Sequence, residues 1–187
     1  MMKKIATFLV LFLAIGYTQA NAQYIFGASY EVRSDEPTNG FGLHFQNDFT
    51  VIPMLLDVGF RFQTSFYNEK YNTSLQDLEI RQEDTSYDFG LGIIATASAG
   101  FVAPYVGVGI GYEVFNRDSS FSANGGSAIS TMSESDNGLY YYGAVGAGVT
   151  ILPIIRPFVE YRYRGVTSTD FMPSDYGTWA FGVQLRF

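Results

Sequence analysis

Beyond residue 22, hydrophobic positions recur at every second residue through most of the chain. In the closing stretch Trp179, Phe181, Val183, Leu185 and Phe187 share one face, while Ala180, Gly182, Gln184 and Arg186 share the other. This is the period of a β-strand, whose successive side chains point to opposite faces. A soluble strand rarely carries its apolar face, aromatics included, out to a final exposed Phe. A strand with lipid on one side and a polar lumen on the other has this pattern.

The uncharged runs fit strands better than helices. Asp88 and Glu113 bracket a stretch long enough for a membrane-spanning helix, but Gly90, Gly92, Gly107, Gly109 and Gly111 alternate along it and Pro104 interrupts it. Each interior Gly costs a helix about 1 kcal/mol and Pro about 3 kcal/mol. In a strand the same glycines only leave one face empty. Residues 138–155 repeat the arrangement with Gly146, Gly148 and Pro153.

Alternation and turn signals together predict eight strands, near 23–33, 40–50, 55–66, 85–98, 103–115, 138–151, 157–166 and 176–187. Short connections at 51–54, 99–102 and 152–156 alternate with long ones at 34–39, 67–84, 116–137 and 167–175. Thr50-Val-Ile-Pro53 and Thr150-Ile-Leu-Pro153 read as one turn used twice. Short periplasmic turns, long outer loops and an even strand number are the rules of single-chain bacterial barrels. The fold expected is therefore all-β: a transmembrane antiparallel up-and-down β-barrel of eight strands, with an N-terminal signal helix and both ends of the barrel on the periplasmic side.

Parity then assigns the faces. Outward fall residues such as Phe26, Phe41, Leu43, Phe60, Phe62, Leu91, Ile93, Val108, Ile110, Val145 and Tyr163, with no charge among the outward set. Inward fall Glu31, Arg33, Asp48, Asp57, Arg61, Asp88, Glu113, Glu160, Arg162, Arg164 and Arg186, together with His44, Gln46, Gln63 and Gln184. An eight-stranded barrel has an interior just wide enough for side chains to fill, and buried charges are tolerated when paired and hydrogen-bonded. An ion-pair network plugging the lumen is the expectation. Height along the strands puts Arg186 with Asp48 or Asp57, Arg61 and Arg162 with Glu160, and Arg33 and Arg164 with Glu31, Asp88 and Glu113. The inward glycines of strands four to six have two readings. They make room for long arginines and for Tyr140 or Tyr142, or they line a narrow hydrated path or small-ligand cavity.

The N-terminus has its own signature. Lys3 and Lys4 precede a short apolar core, Ile5 to Ile15, and Ala20-Asn21-Ala22 is a small-x-small cleavage site. The domains expected are a signal peptide over 1–22, lying outside the fold as a helix, and the barrel over 23–187. Cleavage removes two of the 11 basic residues and none of the 18 acidic ones, so the formal charge of −7 becomes −9. Such a chain is not expected to bind nucleic acid, which needs a basic surface. Cysteine is absent, which excludes disulfides, thiolate metal sites and thiol catalysis.

Most of the negative charge falls in the long loops, at Asp35, Glu36, Glu69, Asp77, Glu79, Glu83, Asp84, Asp118, Glu134, Asp136, Asp170 and Asp175, against Lys70, Arg81 and Arg117. Loop 116–137, rich in Ser, Gly and Asn, is expected to be mobile. Solvated loop surface is one reading of the acids. Bridging through divalent cations to lipopolysaccharide, or contact with a basic surface or host partner, is the other. No EF-hand spacing occurs, and no metal or cofactor is expected.

Three segments carry a family resemblance: Pro104-Tyr-Val-Gly-Val-Gly-Ile-Gly-Tyr112, Gly143-Ala-Val-Gly-Ala-Gly-Val149 and Pro157-Phe-Val-Glu-Tyr-Arg-Tyr163. They resemble the later strands of OmpA/OmpX-type small outer-membrane β-barrel domains. The segment of Trp179, Phe181, Val183, Leu185 and Phe187 resembles that group's C-terminal assembly signal. The resemblance implies residence in the outer membrane of a Gram-negative bacterium, contact with its lipid and lipopolysaccharide, and insertion by the barrel-assembly machinery. It also implies a monomer with a role in envelope integrity, adhesion or surface antigenicity. The barrel is expected to end at Phe187 with no periplasmic domain, so a peptidoglycan tether is not expected. The alternative function is a narrow pore or carrier for a small solute or apolar molecule. An enzyme is not expected: the single histidine, His44, faces the lumen, and His44-Phe-Gln-Asn47 lacks the serine that lipid A deacylase barrels place two residues after theirs.

Overall fold

A computed structural model describes residues 22–75, 78–123, 128–167 and 174–187. The expected signal helix lies outside the described residues, the first of which, Ala22, opens the first strand. The strands are β1 (Ala22–Arg33), β2 (Asn39–Ile52), β3 (Leu56–Leu75), β4 (Leu78–Ala97), β5 (Val102–Ala123), β6 (Ala128–Val149), β7 (Ile155–Thr167) and β8 (Asp175–Arg186). Each pairs antiparallel with the next, and β8 pairs with β1 to close the barrel. The seam runs from Ile25↔Arg186 to Arg33↔Thr178, and Tyr24 and Phe187 extend it by exchanging backbone hydrogen bonds of 3.2 and 2.9 Å. Closure satisfies the backbone within the chain, as lipid requires. Among the described residues no helix is long and apolar enough to cross a membrane.

Burial follows the pleat with the soluble order inverted. On β2, Phe41, Leu43 and Phe45 are exposed, whereas His44, Gln46 and Asp48 are buried. An aromatic girdle circles the outer side through Tyr30, Phe41, Phe66, Tyr87, Tyr112, Tyr141, Tyr163 and Trp179, all exposed. Beyond it the outward residues turn polar: Asn39, Asn68, Thr85, Asn116, Asn137, Thr167 and Asp175. Such a belt is stable only against acyl chains, and its upper rim marks the membrane surface. The chain is an outer-membrane β-barrel.

The two proline turns share one closure. Leu55 N–H donates to Ile52 O at 3.0 Å, and Ile155 N–H to Leu152 O at 3.1 Å, each with Pro at the second position. They differ at the third, where Met54 takes a left-handed φ of 64° and Ile154 does not. The middle turn is a two-residue hairpin with Gly100, φ 67°, at its first central position, where a side chain would be strained.

The expected loops 67–84 and 116–137 are corrected. β3 and β4 stay paired up to Leu75↔Leu78, and β5 and β6 up to Ser122↔Ala128, with β4 and β5 joined throughout. Four strands thus project well above the girdle as one sheet. Polar Ser, Asn and Thr have the local propensity of loops, which cross-strand pairing overrides here.

Candidate functional site in the barrel interior and the projecting sheet

The interior is crossed by ion pairs from opposite walls. High in the lumen, Arg33 of β1 reaches Glu113 of β5 at 2.7 Å and Asp88 of β4 at 3.2 Å. Arg164 of β7 reaches the same Asp88 at 2.6 Å and lies 3.8 Å from Glu113. Ser86 donates to Glu113 at 2.6 Å, Tyr140 donates to Asp88 at 3.1 Å, and the Tyr176 hydroxyl donates to Glu113. Both guanidinium groups lie over aromatic rings, Arg33 3.4 Å from the Tyr67 centroid and Arg164 4.7 Å from that of Tyr140. Cation–π attraction of this kind is strongest where the cation is desolvated.

Lower down, Arg162 pairs with Glu31 and approaches Glu160 at 2.8 Å, while Arg61 pairs with Glu160 from the facing wall. Tyr67 and Ser29 also donate to Glu31, the latter at 3.1 Å. Glu31 therefore belongs with Arg162, not with Arg33 and Arg164 as height alone implied. From Arg61 the chain of contacts descends through Gln46, which accepts from Arg61 Nε at 2.8 Å and donates to Asp48 at 2.6 Å. Both side chains of every pair in these two layers are buried.

At the periplasmic mouth the pairing differs from expectation. Arg186 donates to Gln23, Asp57 accepts from Thr50 at 2.8 Å, and Asp48 accepts from Gln46. The expected Arg186 pairing with Asp48 or Asp57 is corrected: the β1–β8 seam sets Arg186 opposite Ile25, within reach of Gln23. Sequence reasoning missed Arg156, assigned to a turn. β7 begins at Ile155, so Arg156 falls on the inward parity and is buried. Its even spacing with Glu160, Arg162 and Arg164 was the available signal.

The glycine wall is occupied. A Cβ on Gly90 would sit 2.7 Å from the Tyr140 hydroxyl, and one on Gly146 2.5 Å from the Tyr105 ring. Gly92 and Gly109 face Tyr142, Gly111 faces Tyr140, and Gly148 faces the Arg156 stem. His44 is buried mid-lumen, its Nε2 3.2 Å from Gln184 Nε2 and its ring edge-on to Phe158 at 5.3 Å.

Above the membrane the sheet carries its own polar contacts. Arg117 makes a two-pronged contact with the buried Asp84, at 3.0 and 2.8 Å. Hydrogen bonding to that carboxylate holds the guanidinium pKa above its ordinary value. The Thr38 backbone N–H donates to Glu69 at 2.6 Å, tying the β1–β2 connection to β3. Partial burial works against the Glu69 carboxylate, but hydrogen bonds from Thr38 and the Tyr71 hydroxyl outweigh it and lower its pKa. No group of three or more metal-ligating side chains occurs among the described residues.

No family model and no curated protein matches the chain. Solved structures do. A major outer membrane protein from Thermus thermophilus matches with a TM-score of 0.69 and 12% identity, over 89% of this chain and 100% of that one. Neisserial surface protein A matches with 0.56 and 16%, over 89% and 97%. The attachment invasion locus protein of Yersinia pestis, in complex with the heparin analogue sucrose octasulfate, matches with 0.52 and 18%, over 89% and 97%. These show a shared fold, that of small outer-membrane β-barrels. The expectation that the chain is not an enzyme is corrected by two further matches. The outer membrane protease OmpT from Escherichia coli has a TM-score of 0.51 and the outer membrane enzyme PagL one of 0.50, each at 11% identity. The fold carries catalysis in both, so non-enzymatic character does not follow from it.

Proposed function

We propose that this chain is a monomeric surface-interaction protein of the outer membrane, with its lumen closed by side chains and its binding region on the projecting sheet. The observation that carries the reading is the pair of open edges on that sheet. Above Gly40↔Tyr67, β3 has no strand beside it on the β2 side among the described residues. Above Leu139↔Thr167, β6 has none on the β7 side among those residues. An open edge presents backbone donors and acceptors in register, which an extended segment can pair with as an added strand.

Charge defines the partner. The sheet and its surrounding loops are acid-rich, which disfavours a polyanion such as that bound by the Yersinia protein and favours a neutral or basic extended segment. The cross-lumen ties support closure, since Arg61–Glu160 and Arg164–Asp88 each join walls about half the ring apart. The signal over 1–22, cleavage after Ala22, and the role of the closing strand in assembly belong to the same reading.

The test is a screen of extended peptides of graded charge against the protein in nanodiscs. Basic peptides are expected to bind, and shortening both hairpins to the girdle is expected to abolish binding while the barrel keeps its heat-modifiable migration. Absence of binding across the screen, or binding undiminished in the shortened barrel, overturns the reading.

A further inference from the structure

The periplasmic end of the barrel is apolar where a water-facing rim would be polar. In the first turn Met54 is 93% exposed, flanked by exposed Ile52 and Leu55. Phe101 in the second turn is 70% exposed, and Ile151, Leu152 and Ile154 in the third are all exposed. No charged residue occurs in 49–56, 97–106 or 147–155. The charges nearest this end, Asp48, Asp57, Arg156 and Arg186, belong to the mouth cluster of the lumen. The opposite end of the same strands carries Glu69, Lys70, Arg81, Glu83 and Asp118.

Two further observations identify what covers this rim. It is continuous with the lipid-facing belt: Phe49 and Val58 lead into the first turn, Ala95 and Val106 into the second, and Val149 into the third, with no polar ring between. Its backbone is also largely satisfied from within. Beyond the turn closures, Ser98 N–H donates to Leu55 O at 2.9 Å, Thr150 N–H to Phe101 O at 2.8 Å and Arg186 N–H to Ile154 O at 3.0 Å. Pro53 and Pro153 have no N–H to leave unpaired. Apolar side chains over an internally paired backbone are what a lipid phase accepts, and water gains nothing from them.

We propose that the three periplasmic turns are sunk into the phospholipid leaflet on the periplasmic side, where they anchor the barrel at a fixed depth. The occupant of the rim is lipid, neither a protein partner nor a second copy. The molecule then crosses the bilayer asymmetrically, with a polar crown outside and apolar turns inside.

The chain has no cysteine, so single-cysteine spin labels report cleanly. The variants are Met54→Cys, Phe101→Cys and Ile154→Cys, with Val183→Cys as the lipid-facing control and Asp118→Cys as the water-facing one. The full chain is reconstituted in vesicles of phosphatidylethanolamine and phosphatidylglycerol. Collisions with oxygen, which partitions into lipid, are compared with those of a water-soluble nickel chelate. The expected result is several-fold oxygen preference at the three turns, close to that at position 183, and the reverse at 118. Chelate preference at the turns would place the rim in water, and shielding from both probes would place protein over it; either overturns the proposal. Met54 is so exposed that its substitution removes almost no contact, which keeps that site informative should another variant fold poorly.

Discussion

Arg164 Nη1 lies 2.6 Å from Asp88 Oδ2, and neither side chain has any exposure to solvent. The same carboxylate also serves Arg33 at 3.2 Å, so one acid on β4 holds cations from β7 and β1. Asp88→Asn takes the close partner from the buried Arg164, leaving it Glu113 at 3.8 Å, and one of two partners from Arg33; breaking such a buried pair typically costs about 3–5 kcal/mol. We expect Asp88→Asn to be more destabilising than Arg164→Gln, and the double variant to cost less than the sum of the two. Urea unfolding from lipid vesicles, followed by the single tryptophan, Trp179, measures all three; additive costs would show that the pair does not act as a unit.

Outward and inward glycines should respond oppositely to a side chain. Gly92 faces the Tyr142 hydroxyl, which lies along the same wall over Gly109, whereas a Cβ on the exposed Gly143 would meet nothing within 4 Å. Gly92→Val overfills a packed interior and should cost about 1–3 kcal/mol. Gly143→Val adds a lipid-facing β-branched residue and removes the entropic cost of a strand glycine, about 0.5–1 kcal/mol, so it should be neutral or stabilising. Equal losses in the same urea assay would contradict the filled-wall geometry.

Glu69 gives a pH dependence above the membrane. Its carboxyl is held below its ordinary 4.5 in the folded protein. A depressed folded pKa stabilises fully above the unfolded value, and that stabilisation is lost as pH falls through the folded one. The Thr38 amide should therefore keep its exchange protection from neutrality down to the ordinary carboxylate value and lose it only in more acid solution. Glu69→Gln should weaken that protection at neutral pH. Hydrogen exchange at Thr38, corrected for intrinsic rate, reads both; protection that drops well above that ordinary value would show that the contact does not lower the pKa.

A lumen tied across by Arg61–Glu160 and Arg33–Glu113 should not conduct. In planar bilayers we expect no discrete open events at neutral pH. Arg61→Ala with Glu160→Ala removes one tie and both charges, and should raise water or small-ion leakage before it unfolds the barrel. Steady single-channel steps from the unaltered chain would show that the side chains yield to solute.

Much of the fold was legible because membrane strands write their geometry locally. Side chains alternate with period two, and lipid on one side and a narrow lumen on the other make each position either apolar or polar. Strand number, the inward set from Glu31 to Arg186 and the outward belt follow from that rule alone. Pro53 and Pro153 likewise marked their turns, although Pro104 and Pro157 sit inside β5 and β7 without breaking the pairing.

What parity cannot supply is height around a closed ring. Whether Glu31 meets Arg162 or Arg164, and whether Arg186 meets Asp57 or Gln23, depends on the stagger accumulated over eight pairings, and each step of stagger is set between strands. The same holds for the projecting sheet: Asn68 to Leu75 and Ala128 to Gly138 have the composition of loops and become strands because each finds a partner ladder beside it. Sequence by itself determined which way each side chain points. Only the tertiary structure decided what it meets, because partners across a barrel are chosen by register, a property of pairs of strands and not of one.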